Sequence, residues 1–346
     1  MPDQYCCPEC FGDRGLRDNV FPRLSTRIGT CDFCGSENVC LVEPIALRES
    51  FELLVSPYRV DPDGTPLVRQ LVEDWRLFSH PAMDDAHAKE LLAEIFDDGD
   101  LVRKNYVPVE QVPSASLGQW EKLRTEMMHH NRWFPAEPVD LPRLRGLLDQ
   151  IITASLSIGS DWYRARLMTN ASPFALAEMG APPAHLAGHG RANPAGIPYL
   201  YLASDAKTAI SEVRPHTGER ATIARFQLPD LKLVDVRDPR GLVSPFDLDD
   251  SEVIQLRHDL PLLERLGEEL TRPVVPSGAL YEYIPSQYLC EFMKQSGFDG
   301  VAYRSSVGAG VNVAIFDPAV ATGMDTTETT VKAVVVEISE PTPTAA

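Results

Sequence analysis

The sequence predicts an α+β protein, in which an N-terminal metal-binding ribbon and a helical segment precede a mixed α/β domain. Three observations predict this order. Two Cys-x-x-Cys pairs stand near the N-terminus, apolar residues then recur at helical spacing, and from Asp161 onward short apolar runs alternate with helical patterns. The 346 residues, 44% of them hydrophobic, suffice for two or three domains. We place the boundaries at 1–45, 46–157, 158–320 and 321–346.

Four cysteines have metal-ligand spacing: Cys7, Cys10, Cys31 and Cys34. Twenty residues separate the two pairs, which brings four thiolates around one tetrahedral ion and predicts a structural zinc ribbon. Glycine follows each pair, where a left-handed turn aims backbone N–H groups at sulfur. Cys6 and Cys40 are further candidates, and the sequence does not decide between Cys6 and Cys7. Thiols kept for a metal indicate a reducing compartment.

The middle of the chain is predicted to be mostly helical. Apolar periodicity predicts helices over 47–55, 66–78, 85–96, 117–130 and 141–157. Asp84 and Asp140 are predicted N-caps, and Pro142 stands in the first turn of the last helix.

The C-terminal half is predicted to be mixed. Short apolar runs predict strands over 162–166, 199–203, 221–227, 231–235, 300–303, 311–316 and 331–338. Helical patterns over 205–213, 260–270 and 287–296 are interspersed, and the last six residues form a polar tail. Such a mixture is typical of a mixed α and β domain.

Charge and hydropathy exclude several classes of function. The formal charge of −18 argues against a nucleic-acid partner, because affinity for phosphate backbones comes from Lys and Arg. No apolar run of 18 residues and no basic segment before an apolar one occurs, so we expect neither membrane insertion nor secretion and predict a cytoplasmic protein.

The candidate functional residues concentrate after position 160. Arg164 lies in a predicted strand whose side chains alternate between two faces. Arg191 lies in a glycine-rich loop, where its guanidinium could bind a phosphate through two hydrogen bonds. Tyr201 lies on a strand that precedes the helix carrying Glu212, and Ser305 follows a later strand. Taken singly, a structural tyrosine and a solvent-facing glutamate also fit these positions.

In their order, these motifs resemble the RES-domain family, which is named for an Arg, a Glu and a Ser. The resemblance covers roughly residues 155–320 and rests on the segments 162–166, 190–196, 201–212, 285–289, 297–306 and 312–316. It implies a fold similar to the diphtheria-toxin-like ADP-ribosyltransferases and degradation of NAD, often by a toxin held by a partner antitoxin. The N-terminal half resembles the HEPN-like extension of longer members, in which Arg124 and His129 match an RNA-cleaving motif only weakly.

The resemblance also implies roles for individual residues. Glu212 would bind the ribose hydroxyls and stabilise developing positive charge, and Tyr201 would stack on nicotinamide. The remaining contacts to NAD would come from four residues: Arg164, Arg191, Asn193 and Asn312. Ser305 and Asn312 would orient the nicotinamide ribose or amide. The family arginine can be either Arg164 or Arg191, and Ala192 replaces an aromatic residue of shorter members.

The resemblance therefore implies hydrolysis or phosphorolysis of NAD at the bond between nicotinamide and ribose, by a toxin or a stress or defence effector. Two alternatives stay open. An ADP-ribosyltransferase would use the same pocket but pass the ribose to a macromolecule. A module that senses NAD or binds a protein would bind without turnover. The zinc belongs to a different segment and is not expected to take part in catalysis.

Overall fold

The computed structural model describes residues 4–109, 115–275 and 277–335. They form two compact units, each assembled from separate stretches of the chain. The first unit comprises Met1–Thr125, Phe134–Ile151 and Asp238–Arg265, and the second comprises Glu126–Trp133, Ile152–Arg237 and Leu266–Ala346.

The helices of the described residues are, in chain order, α1 Phe21–Leu24, α2 Arg48–Val55, α3 Leu67–Trp75, α4 Asp85–Phe96, α5 Ala115–His129, α6 Leu141–Gln150, α7 Ser155–Ile158, α8 Ala206–Glu212, α9 Pro239–Leu242, α10 Asp250–Thr271, α11 Ala279–Glu282 and α12 Ile284–Gln295. The predicted N-caps are confirmed, since the Asp84 carboxylate accepts from the first turn of α4 and the Asp140 carboxylate from that of α6.

The strands are β1 Arg27–Gly29, β2 Val39–Leu41, β3 Tyr58–Pro66, β4 Asn105–Pro108, β5 Ile152–Ala154, β6 Asp161–Leu167, β7 Leu200–Ala203, β8 Arg220–Gln227, β9 Lys232–Asp235, β10 Gly300–Arg304, β11 Val311–Ile315 and β12 Thr322–Thr330. The pairs β1–β2 and β3–β4 belong to the first unit. The second unit holds an eight-stranded sheet in the order β12-β8-β6-β7-β11-β10-β9-β5. Strands β9 and β10 are parallel and the other neighbours are antiparallel, so the predicted α+β class is confirmed.

Two secondary-structure predictions are wrong. The helix predicted to run to position 157 ends at Gln150, and the next residues form β5, which pairs with β9 at the sheet edge. The strand predicted over 331–338 is displaced: β12 ends at Thr330, and 331–335 form no strand, while 336–338 lie outside the described residues. The threonine-rich run Thr322–Thr330 pairs with β8 instead, because β-branched residues suit an exposed edge strand without any apolar signal.

The two faces of the large sheet carry different side chains. One face is covered by a buried apolar cluster that includes Trp162, Leu200, Leu202 and Val313. On the other face, α8 packs through Ala209 against Ala165 and Ala203. Alanine is the smallest side chain with a Cβ, so the helix can lie close to the sheet and bring its C-terminal end over β7 and β11.

The first unit has an aromatic core around Phe11, which follows the first cysteine pair. Its ring lies 5.3 Å from Phe51 and 5.7 Å from Phe78, measured between ring centroids. Packing of this kind anchors the cysteine segment to α2. No helix in the described residues combines the length and apolar character needed to cross a membrane.

Candidate functional site

A cavity of about 250 Å³ opens on the face of the sheet covered by α8. One water in the liquid occupies about 30 Å³, so the cavity has room for part of an organic ligand. Its polar lining consists of Tyr163, Arg164, Tyr201, Glu212, Tyr303 and Asn312, and its apolar lining of Ala165, Leu202, Ala203, Ala209 and Val213. Four neighbouring strands and one helix supply these side chains.

Strand register explains why these residues meet. Tyr303 on β10 is directly opposite Asn312 on β11, Asn312 is opposite Ala203 on β7, and Ala203 is opposite Tyr163 on β6. Directly opposed residues of antiparallel strands point to the same face. The four positions therefore form one row across the sheet, beneath the C-terminal end of α8 where Glu212 is the last residue.

The Glu212 carboxylate is fixed by two donors. Ser305 Oγ and Asn312 Nδ2 each donate to Glu212 Oε1 at 2.6 Å. Oε2 accepts no hydrogen bond from the described part of the chain, so it is available to a ligand. Ser305 does not line the cavity itself but accepts from the backbone N–H of Val307 at 3.2 Å, which fixes its hydroxyl toward Glu212.

Arg164 supplies a partly buried cation to the cavity. Among the described residues, one register pair joins β6 to β7, so the two strands diverge beyond Tyr163 and Ala203. Arg164 Nη1 reaches into this gap and donates to the Tyr201 carbonyl at 3.4 Å. Burial, and then the nearby charge of Arg166, lower the pKa of the Arg164 guanidinium, which stays cationic because its ordinary pKa is so high. Its Nε is shielded from solvent and has no hydrogen-bond partner in the described residues, so any contact of Arg164 with a ligand would be made by the terminal nitrogens of the guanidinium.

The glycine-rich loop positions Tyr201. The Tyr201 hydroxyl donates to Asn193 Oδ1 at 2.6 Å and accepts from the Ala192 N–H at 3.0 Å. Asn193 Nδ2 donates to three carbonyls of its own loop, those of Gly188, Pro194 and Ile197. Asn193 is buried and lies behind Tyr201, not on the cavity wall, so it holds the tyrosine and the loop together.

Arg191 is not among the residues that line the cavity. Its Nη1 donates to the Arg272 carbonyl at 2.8 Å, and its guanidinium lies 5.2 Å from the centroid of the Tyr283 ring. The start of α12 holds the backbone of this loop, because Ser286 Oγ donates to the Arg191 carbonyl at 2.6 Å. The positive charge of Arg191 nevertheless acts on the cavity, because it lowers the pKa of Tyr303, whereas burial and the nearby acidic groups raise it.

Of the residues that the sequence singles out, the fold brings Arg164, Tyr201, Glu212, Ser305 and Asn312 together. Arg191 and Asn193 do not line the cavity. Sequence reasoning missed Tyr163 and Tyr303 as lining residues. Both stand in segments that carry the family resemblance, but only strand register shows that their side chains share the face of Glu212.

The first unit contains a second candidate site, a cluster of four buried cysteines. The sulfur atoms of Cys7, Cys10, Cys31 and Cys34 all lie within 4.8 Å of one another, so together they could hold a metal ion. Cys6 lies outside the cluster, where its thiol donates to the Val42 carbonyl at 3.4 Å. The choice between Cys6 and Cys7 is thereby settled in favour of Cys7.

Local backbone geometry explains the cluster. A glycine stands shortly after each pair, Gly12 after the first and Gly35 after the second. Their φ angles of 71° and 75° form the left-handed turn expected there. Hydrogen bonds with Cys31 and Cys7, together with burial, raise the pKa of the Cys10 thiol. Four thiols packed this closely favour the fully ionised form only when a cation is bound among them.

The weak RNA-cleaving match falls on one helix. Arg124 and His129 both lie on α5, and the His129 ring packs 5.7 Å from the Tyr281 ring, measured between centroids. This aromatic contact gives His129 a packing role.

Comparisons with known proteins give a family match in the C-terminal half of the chain. The model of the RES domain matches residues 161–332, and the chain belongs to this family. Among solved structures, the chain is similar to one described as the crystal structure of the M. tuberculosis MbcT–MbcA toxin–antitoxin complex. The identity is 16%, the TM-score is 0.31, and the match covers 54% of this chain and 92% of the other. No curated protein matches.

Proposed function

We propose that the cavity around Glu212 binds NAD and cleaves the bond between nicotinamide and ribose. The observation that carries the proposal is the presence of an anchored carboxylate and a partly buried guanidinium in one cavity of a RES domain. One carboxylate oxygen of Glu212 accepts no hydrogen bond from the described residues, and Arg164 lines the same cavity. NAD carries the matching groups, a ribose that becomes cationic and an anionic pyrophosphate.

The reaction places positive charge on the ribose. When the bond from C1′ to the nicotinamide nitrogen breaks, its electron pair stays on nitrogen and the sugar becomes oxocarbenium-like. A carboxylate close to C1′ stabilises this charge as it develops, which is where catalysis has its effect. Glu212 is suited to the task, because Ser305 and Asn312 fix its orientation before the substrate arrives. Water then attacks C1′ and loses a proton, giving ADP-ribose, whereas phosphate would give a phosphorylated ADP-ribose.

The other lining residues have complementary roles in the proposal. Arg164 binds the pyrophosphate, and we favour it over Arg191 as the family arginine because it reaches the cavity. Arg191 would have to leave the Arg272 carbonyl to add a second cation. Tyr201 offers its ring face to nicotinamide, since Asn193 and Ala192 already occupy its hydroxyl.

The four-cysteine cluster is proposed to hold zinc as a structural ion. Zn–S bonds of about 2.3 Å in a tetrahedron imply sulfur–sulfur distances of about 3.8 Å. The contacts Cys10–Cys31, Cys7–Cys34 and Cys7–Cys10 measure 3.4, 3.5 and 4.0 Å and fall on both sides of this value. All four positions of the tetrahedron would be occupied by sulfur, so the ion would contribute to folding and not to chemistry.

The family resemblance supports three further parts of the proposal. The sheet of the second unit would be a variant of the ADP-ribosyltransferase-like fold, the protein would act in the cytoplasm as a toxin or defence effector, and an antitoxin would be its protein partner. The predicted boundaries at 45, 157 and 320 stay predictions.

Incubation of the purified full-length protein with NAD tests the proposal. Chromatography should show equal amounts of nicotinamide and ADP-ribose, or phosphorylated ADP-ribose when phosphate is present. Nicotinamide released together with radiolabel on an added protein would indicate an ADP-ribosyltransferase instead. NAD that binds but stays intact would support the non-catalytic sensor and contradict the proposal.

A further inference from the structure

The tyrosines that line the cavity differ in what their hydroxyls bind. The Tyr201 hydroxyl both donates and accepts within its own loop, at 2.6 and 3.0 Å. Tyr303 is also buried, with 5% of the residue exposed, and its hydroxyl bonds to no residue in the described part of the chain, but unlike the Tyr199 hydroxyl it is not shielded from solvent. Tyr163 is only half-buried, so water can satisfy it. The Tyr303 hydroxyl is therefore accessible from the cavity that Tyr303 lines, where water or a ligand would be its partner.

Tyr303 stands beside the anchor of Glu212. It is the register partner of Asn312, whose amide donates to the Glu212 carboxylate at 2.6 Å. Burial, followed by the negative charges near it, including that of Glu212, raises the pKa of Tyr303 well above its usual range. The hydroxyl is therefore protonated at neutral pH and can donate a hydrogen bond.

A sugar hydroxyl matches this pair of groups. A carboxylate only accepts, so a ligand hydroxyl bound to Glu212 must point its proton at Oε2. The lone pairs of that same hydroxyl are then left without a donor, and this omission is costly where the bound ligand displaces water from the partly open cavity. A neutral tyrosine beside the carboxylate supplies the missing donor. An aliphatic ligand group would pair with neither residue, and an acceptor-only group would leave the carboxylate unpaired.

We propose that Tyr303 is a substrate-binding residue that, together with Glu212, recognises one hydroxyl of the ribose next to nicotinamide. Tyr303 donates to the hydroxyl oxygen, and Glu212 accepts its proton in a hydrogen bond. This inference rests on the proposed function and adds to it a substrate class: ribonucleotides of nicotinamide, with discrimination against the corresponding deoxy forms.

The test combines Tyr303→Phe with two substrate analogues. NAD is compared with analogues that lack the 2′- or the 3′-hydroxyl of the nicotinamide ribose, by nicotinamide release. We expect Tyr303→Phe to lower kcat/KM for NAD about tenfold, the usual effect of a lost buried hydrogen bond. For one of the two analogues, Tyr303→Phe and the unsubstituted protein should have the same kcat/KM, because that analogue lacks the ribose hydroxyl to which Tyr303 would donate. Tyr281→Phe is the matched control, since Tyr281 lies outside the cavity and is 41% exposed.

Different failures have different meanings. An unchanged kcat/KM for NAD in Tyr303→Phe, or an equal loss on NAD and both analogues, overturns the role of Tyr303 and leaves the proposed function standing. If the melting temperature of Tyr303→Phe falls strongly, the comparison of NAD with the two analogues is made on the unsubstituted protein alone. Equal kcat/KM for NAD and both analogues then overturns the inference. If the unsubstituted protein does not cleave NAD, the proposed function fails, and the same comparison is made on Kd by calorimetry. Absence of NAD binding there overturns the inference as well.

Discussion

Replacing Glu212 by glutamine removes a charge and keeps the shape of the site. Ser305 and Asn312 both donate to Oε1, and a glutamine carbonyl can accept the same two hydrogen bonds. The second carboxylate oxygen becomes an amide that no longer attracts a cationic ribose. The substitution therefore separates the charge of Glu212 from its packing.

The magnitude follows from Coulomb's law. Two unit charges about 4 Å apart interact with about 1 kcal/mol in water and about 4 kcal/mol near a protein surface. Glu212 is exposed beside a partly open cavity, so an intermediate value applies. A loss of about 2.7 kcal/mol corresponds to a hundredfold lower rate.

Steady-state kinetics of nicotinamide release measure this effect. We expect kcat to fall on the order of a hundredfold while KM changes little, because the lost interaction forms mainly in the transition state. Glu291→Gln, an exposed carboxylate on α12 outside the cavity, is the control and should behave like the unsubstituted protein. Turnover at the unsubstituted rate in Glu212→Gln, with an unchanged melting temperature, would refute the role of this carboxylate.

Three further predictions concern the arginine, the cysteine cluster and pH. Arg164→Lys keeps a cation but loses the guanidinium fork, so NAD should bind about tenfold more weakly in a calorimetric titration, and an unchanged Kd would argue against a phosphate contact. Cys10→Ser should abolish zinc, measured per chain by elemental analysis, and lower the melting temperature, whereas Cys40→Ser should retain the ion; equal zinc in both variants would rule out the cluster as the site. Burial raises the pKa values of Tyr201 and Tyr303 in the folded protein. Just above about pH 10, these two hydroxyls therefore lose their protons in the unfolded chain but keep them in the folded one. Stability should be independent of these groups below pH 10 and fall at higher pH, and a melting temperature that stays constant from pH 9 to 11 would contradict this.

Local sequence patterns predict much of the fold. Each apolar run from Asp161 to Ile315 that was assigned as a strand forms one, because such a run is long enough to cross a sheet and too short for a helix. The prediction was wrong for Ile152–Ala154, because the apolar spacing of α6 continues through this segment. Its pairing with β9 makes it a strand. Thr322–Thr330 carries no apolar signal at all.

The candidate site was predictable only in part, for a related reason. Motif order locates Glu212, Ser305 and Asn312, and their hydrogen bonds confirm that the three meet. The position of Tyr303 depends on antiparallel register between distant segments, and that of Arg191 on contacts with the start of α12 and with Arg272. Neither follows from residue type or spacing along the chain.

A crystal structure of the Glu212→Gln variant with NAD tests the central claim most directly, because slow turnover preserves the substrate. We expect the nicotinamide ribose beside position 212, with a hydroxyl against Tyr303, the nicotinamide ring against Tyr201 and the pyrophosphate on Arg164. NAD bound elsewhere, or a cavity that stays closed to NAD at saturating concentration, would contradict the claim.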